Sequence, residues 1–190
     1  MSPRAHAANL ILCHLRSWLA ALDDFRNWLI REAPEIRAFR PSSSRSDRHL
    51  FSRRDFVTRT VLITCSMPMN ASDTALAIAH TSSGAETLAK KTNRAKVVSA
   101  FGTVPSEVLF DVFEAKRRTR RRPSLLYCGN NDDAKSVVAQ LIRDVGFEPV
   151  DAGPLRIARY LEPFTLAMAQ LAYEGDDGPE IAYRIERFAK

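Results

Sequence analysis

The chain is 190 residues long and 45% hydrophobic, with 28 Lys+Arg against 22 Asp+Glu for a net charge of +6. This suits one globular domain with an appended segment; 7 Gly and 3 Cys exclude collagen-like and disulfide-scaffold classes, and ordinary hydrophobicity excludes full disorder. No apolar run approaches the roughly 18 residues that a membrane-spanning helix requires.

Charge is unevenly spread. Residues 1–60 hold 11 Lys+Arg and 6 Asp+Glu, whereas residues 61–190 hold 17 and 16, so the basic character belongs to the front third. At the start, the apolar stretch Leu10–Leu12 is soon interrupted by His14 and Arg16 without a small-residue cleavage site, which argues against a signal peptide. Leu15, Trp18, Leu19, Leu22, Phe25 and Leu29 recur at helical spacing and predict an amphipathic helix over 9–32, stopped by Pro34. From Ala38 to Arg54 the pattern breaks into Ser, Arg and Asp, as in a linker. Arginines interleaved with serine, with no base-reading motif, favour a solvated or disordered segment over a nucleic-acid interface. Cys13, Cys65 and Cys128 are odd in number and far apart in apolar runs, which reads as reduced thiols in a cytoplasmic protein.

Beyond residue 60 the pattern alternates. Val61–Cys65, Lys96–Phe101, Ser124–Cys128 and a weaker Glu148–Asp151 read as strands. Helical patterns lie between and after them: Ser83–Lys91, Ser106–Ala115 behind Pro105, a third lined by Val137, Val138, Leu141, Ile142 and Val145, and a long one from Arg156 to Tyr173. Gly146 stands where a left-handed helix cap is wanted. Such alternation with short connections predicts an α/β fold with a mostly parallel sheet.

In an open parallel sheet, ligands bind beyond the carboxyl ends of the strands. Three loops qualify: Ser66–Asn70, Gly102–Pro105 and Gly129–Asp133. The first two offer small or polar residues for a flat ring and its amide. In the third, Asp132 and Asp133 read as helix caps that would repel an anion. A dinucleotide site normally carries Gly-x-Gly-x-x-Gly, because only a missing side chain lets backbone amides approach the pyrophosphate. There is no glycine before Gly84, so that fingerprint is absent.

The segments Ser66-Met67-Pro68-Met69-Asn70, Ala77 through Glu86, Lys96 through Val104, Tyr127-Cys128-Gly129, Gly146 through Leu155 and Ala158 through Pro163 follow one another in order. Together they resemble the second half of NADP oxidoreductases of the deazaflavin-coenzyme-dependent (F420) type. The resemblance implies a Rossmann-like sheet, incomplete at its N-terminal half, over 59–190, and leaves unmatched the basic segment 1–58, which its own pattern reads as helical and partly disordered. It implies hydride transfer between NADPH and a second bound acceptor, in which the protein aligns two rings and need not donate protons. No residue is therefore assigned a catalytic role. The implied cofactor contacts are Ser66, Met67, Pro68, Asn70, His80 and Thr81. The implied substrate contacts are Phe101, Gly102, Thr103 and Val104. Family members usually carry Asn where this chain has Met67 and Gly102, which leaves the acceptor open between a deazaflavin and another small molecule. The family's glycine turn has no counterpart in 1–58, so either an unrelated segment replaces that half or the chain is a truncated or misread product. NADP binding is expected to be weak or absent, and the alternative function is a non-catalytic remnant that dimerises or binds a partner.

Single residues have blander readings. His80 reads first as a structural loop residue, and Cys65 and Cys128 as buried inert thiols. Scarce His and isolated Cys predict no metal site. Glu162 before Pro163 would cap a helix break or pair with Arg159. Lys116–Arg122 reads as a solvated loop. The apolar surface of Arg156–Tyr173 matches the region that related proteins use for subunit contact and predicts a homodimer, with no membrane partner.

Overall fold

The computed structural model describes residues 61–188, apart from 73, 93, 94, 117 and 119. The expected helix over 9–32, the linker over 38–54 and the boundary between 58 and 59 lie outside the described residues. The elements run β1 (Val61–Thr64), α1 (Gly84–Lys91), β2 (Lys96–Ser99), α2 (Ser106–Ala115), β3 (Ser124–Gly129), α3 (Asp132–Val145), β4 (Glu148–Asp151), a 3-10 turn (Leu155–Ile157) and α4 (Ala158–Tyr173).

The four strands form a sheet in the order β1-β2-β3-β4. β1 and β2 pair in parallel from Val61 opposite Lys96 to Thr64 opposite Ser99. β3 and β4 pair in parallel from Ser124 opposite Glu148 to Tyr127 opposite Asp151. Each parallel pair is one strand–helix–strand unit, because parallel neighbours need a crossover element between them. The sheet is mostly parallel, as expected, but its middle pairing is antiparallel: Val98 lies opposite Gly129 and Ser99 opposite Cys128. The chain leaves α2 and enters β3 beyond the end where β2 finishes, so β3 must run back against it. Only those two residue pairs join the two units in the sheet ladder, and the rest of this β3 edge extends past β2.

Successive residues of β2 point to opposite faces, and both Val97 and Val98 are buried, so the strand is covered on each side. Val97 packs with Ala85, Cys128, Leu155, Ala158 and Leu161 beneath α1 and α4. On the other side Val138, Ile142 and Val145 of α3 are fully buried, as are Leu125 and Phe147. Val137, expected on the same stripe, is 58% exposed; the buried row is Ala134, Val138, Ile142 and Val145, and Val137 lies beside it.

Local chemistry explains the helix ends. Gly146 adopts φ +119°, its N–H donates to the carbonyls of Ile142 and Arg143, and Phe147 N–H donates to Ile142: the expected left-handed cap. At the start of α3 the cap is Asn131, whose Oδ1 accepts from Ala134 N–H at 2.9 Å. Asp132 and Asp133 therefore sit inside the first turn instead of capping it, and reach Lys135 and Lys96 respectively. β2 stops at Ser99, short of the expected Phe101, because Phe101 takes φ +65°, which no strand accommodates.

Candidate functional site

Since β1 and β2 are parallel, the chain leaves both at the same edge of the sheet. Ala100 N–H donates to the Thr64 carbonyl at 3.0 Å and holds the two exits together. The following loops are in contact: a Cβ placed on Gly102 would meet the Cys65 carbonyl oxygen at 3.0 Å and Thr165 Oγ1 at 3.6 Å. The glycine allows this close approach, and the Cβ of an Asn would press the Cys65 carbonyl back by a few tenths of an ångström. The space bounded by the loops and α4 is lined by Cys65, Ser66, Gly102, Thr103, Glu162 and Thr165. It has room for about one water molecule and not for an aromatic ring.

Of the ten residues implied as contacts, Ser66, Gly102 and Thr103 line this space. Thr103 is buried, and its Oγ1 is 2.7 Å from the Tyr183 hydroxyl; Val104 is buried beside it. Phe101 stands half-buried at the turn. Pro68 packs on α1, where a Cβ on Gly84 would come 3.3 Å from its Cδ. Its neighbour Met67 is half-buried in the same loop. Asn70 organises its own loop: Oδ1 accepts from Thr74 N–H at 3.0 Å and from Ser72 Oγ at 3.2 Å. Further out, His80 and Thr81 are exposed, and Thr81 N–H bonds the Ala79 carbonyl across His80, which has φ +61°. That is a γ-turn of the rare positive-φ hand, and it shows His80 in a backbone-shaping role.

Glu162 departs from its sequence reading. It is 4% exposed and caps a different helix: Oε2 accepts from Gly84 N–H at 2.9 Å and Oε1 from Ala85 N–H at 3.0 Å. Burial pushes its carboxyl up, against the pull of those two amides. Arg159 does not pair with Glu162 but grips Glu86 through Nε and Nη2, both at 2.7 Å, and holds that carboxyl below its usual range. Ser83 completes the arrangement by capping α1 through Glu86 N–H at 3.1 Å. The positive end of α1 is thus occupied by the protein's own carboxylate, which leaves no donors there for a phosphate. A carboxylate in an apolar helix was the available signal for Glu162; its partners lie 77 and 78 residues away.

The remaining candidates behave as thiols and a loop should. Burial pushes the Cys128 thiol up to about 12 and raises that of Cys65, so neither is a ready nucleophile. Arg118, Arg120 and Arg121 are exposed, while Lys116 bonds the Asp144 carbonyl at 2.7 Å and lies 3.8 Å over the Phe113 ring. Among the described residues no group of three His, Cys, Asp or Glu could hold a metal, and no helix is long and apolar enough to cross a membrane.

The frame defines a class: two strand–helix–strand units forming a Rossmann-like α/β sheet whose candidate site is at the strand ends. No protein-family model matches the chain. Metalloreductase STEAP3 of Rattus norvegicus is 35% identical over 89 residues, which is 47% of this chain. A crystal structure of a proposed F420-dependent NADP-reductase from Arthrobacter sp. FB24 superposes with a TM-score of 0.58 at 24% identity, covering 67% of this chain. The chain spans 17% of the rat protein's length and 57% of the bacterial one's. The chain thus shares sequence over 89 residues with part of a metalloreductase, and the solved structure establishes the shared fold.

Proposed function

We propose that residues 61–188 form the strand-end half of an NADP-linked oxidoreductase, in which a reduced nicotinamide meets an acceptor beyond β1 and β2. The observation that carries this reading is the contact of the two loops at those strand ends, with Gly102 against the Cys65 carbonyl, in a chain whose fold is shared with a proposed NADP-reductase. The two relatives differ in what their names say they act with, F420 in one and a metal in the other. That difference supports treating the shared segment as the part common to both chemistries, with the acceptor, deazaflavin or otherwise, chosen elsewhere. The chain's own part in hydride transfer is to align two rings and exclude water, as its closely packed strand ends suit. NADP supplies the hydride when bound; Ser66, Met67 and Pro68 are the residues that would pass the nicotinamide.

The closed strand-end space and the self-capped α1 support the second reading, a non-catalytic domain that dimerises or binds a partner. Tyr160 and Leu171 of α4 are each 57% exposed and supply an apolar surface for a second copy. We place the chain in the cytoplasm on its free Cys65 and Cys128.

Titration with NADPH, followed by fluorescence, separates the readings. With no glycine turn in the chain and the α1 amides engaged, the expected Kd is weaker than about 100 μM. NADPH oxidation with F420, FMN or a ferric chelate as acceptor tests turnover; binding in the micromolar range overturns the expected weakness, and no oxidation with any acceptor favours the second reading. A monomer at high concentration in sedimentation argues against the homodimer.

A further inference from the structure

Because β3 outruns β2, one edge of its first residues is left over. Pro123 and Tyr127 direct their carbonyls to β4, accepting from Glu148 and Ala152 N–H at 2.8 Å each. Ser124 and Leu126 therefore point their amides the other way, toward the side where β2 has already ended. An unpaired buried amide is costly, so something must accept from them. Tyr183 does both: its carbonyl accepts from Ser124 N–H at 2.8 Å, and its hydroxyl accepts from Leu126 N–H at 3.0 Å. The same hydroxyl is 2.7 Å from Thr103 Oγ1, and the Tyr183 ring stands edge-on to Phe164 at 5.2 Å. A single side chain thus joins the C-terminal segment, the β3 edge, α4 and the Gly102–Pro105 loop.

The rest of that segment is lightly held. Beyond Tyr183, the bond from Ile185 N–H to Ser124 Oγ at 2.9 Å attaches it to the sheet. Glu180, Ala182 and Arg184 through Phe188 are exposed, with Phe188 90% so. Upstream, Gly178 has φ +84°, a backbone state that glycine enters and leaves without a Cβ penalty. The segment also borders the space whose size excludes a ring: Thr103 and Leu126, both tied to Tyr183, line it.

We infer that Pro179–Phe188 is a releasable strap, clipped by Tyr183, whose release frees the Gly102–Pro105 loop and opens the strand-end space to a flat ring. Sheet and helices stay closed while the strap opens, because its attachments are a few side-chain and amide contacts to the β3 edge, Thr103 and the Phe164 ring, none of them part of the sheet ladder or a helix backbone. That the admitted ring is a hydride acceptor rests on the function proposed above.

Hydrogen exchange on the full chain decides the strap. In the wild type, the Ser124 and Leu126 amides exchange at least about tenfold faster than those of Glu148 and Ala152, which report opening of the β3–β4 ladder. Tyr183→Ala accelerates Ser124, Leu126 and the 102–104 peptide a further tenfold or so, leaving Glu148 and Ala152 unchanged. Tyr183→Phe keeps the carbonyl and loses the hydroxyl, so Leu126 and 102–104 accelerate while Ser124 does not. Exchange of Ser124 and Leu126 in step with Glu148 and Ala152 in the wild type overturns the strap, since it then opens only with the sheet. Acceleration of the β3 amides without the 102–104 peptide overturns its control of the loop. The wild-type and Tyr183→Phe arms suffice should Tyr183→Ala fail to fold. FMN is then titrated into wild type and Tyr183→Ala: binding by the variant at least about tenfold tighter supports both readings. Equal affinity for the two overturns the gating. Binding to neither, with the exchange pattern as expected, leaves the strap standing and removes the acceptor site from the proposed function.

Discussion

The two strand–helix–strand units are held together in different ways. Around β3, α3 and β4 the stabilising features are local or apolar: an Asn131 cap three residues from its donor, a Gly146 cap, and a row of buried aliphatic side chains against Phe147. Around β1, α1 and β2 a local Ser83 cap and the buried Val97 are supplemented by a distant polar contact. Helix α1 has eight residues and one buried side chain, Ala85, and its first amides are met by Glu162 from α4. Short helices are marginal without tertiary support, so α1 depends on α4 in a way that α3 does not. The candidate site therefore stands on the less self-sufficient unit, where a change in α4 or the C-terminal segment reaches the strand ends directly.

The largest expected effect breaks the self-sufficient unit. Phe147→Ala removes a fully buried ring from beside α3 and should destabilise the chain by about 3–5 kcal/mol in urea denaturation. Next is Gly146→Ala, about 2–4 kcal/mol, since the new methyl meets the Val112 carbonyl oxygen at 2.9 Å in a left-handed backbone. A loss under about 0.5 kcal/mol at Gly146 would show that the cap is not what ends α3.

In the dependent unit, Glu162→Ala strands the Gly84 and Ala85 amides and should cost about 2–3 kcal/mol, while Glu162→Gln keeps one acceptor and recovers part of it. Exchange of the α1 amides should rise before that of α3; equal rises would mean that the two units do not differ as argued.

The smallest effect is a pair of opposed pH slopes. Glu86 is held below its ordinary 4.5, first by its hydrogen bond to Arg159, so its contribution is present above that pH and lost as pH falls through the folded value. Glu162 is raised above 4.5, first by burial, so its contribution favours the folded state on the acid side and declines as pH rises from there to its folded value. Glu86→Gln should therefore flatten the acid loss of stability, and Glu162→Gln should steepen it, read as urea midpoints between about pH 3 and pH 6. Parallel shifts in both variants would contradict the assigned directions.

Strand and helix positions beyond residue 60 were legible because each rests on a short-range period or a turn residue. The Gly146 cap and the β4 boundaries follow from neighbours within a few positions. The site was less so. Ser66, Gly102 and Thr103 could be placed at strand ends by pattern, whereas Asn70 and His80, implied as contacts by the resemblance alone, make bonds that shape their own loops, as the structural reading of His80 expects. Tyr183 carried no local signal, and Glu162 only that of a carboxylate in an apolar helix: their partners stand tens of residues away, and nothing in the flanking sequence specifies them.

By itself the sequence determined the alternation, the apolar faces, the helix cap at Gly146, and the lack of a glycine turn before Gly84, all properties of residues and near neighbours. Only the tertiary structure decided that β3 runs against β2, that a carboxylate from α4 fills the end of α1, and that Tyr183 closes the edge left over. Those outcomes depend on which distant groups meet once the chain is folded, and each is settled by a backbone amide that must find an acceptor wherever packing has placed one.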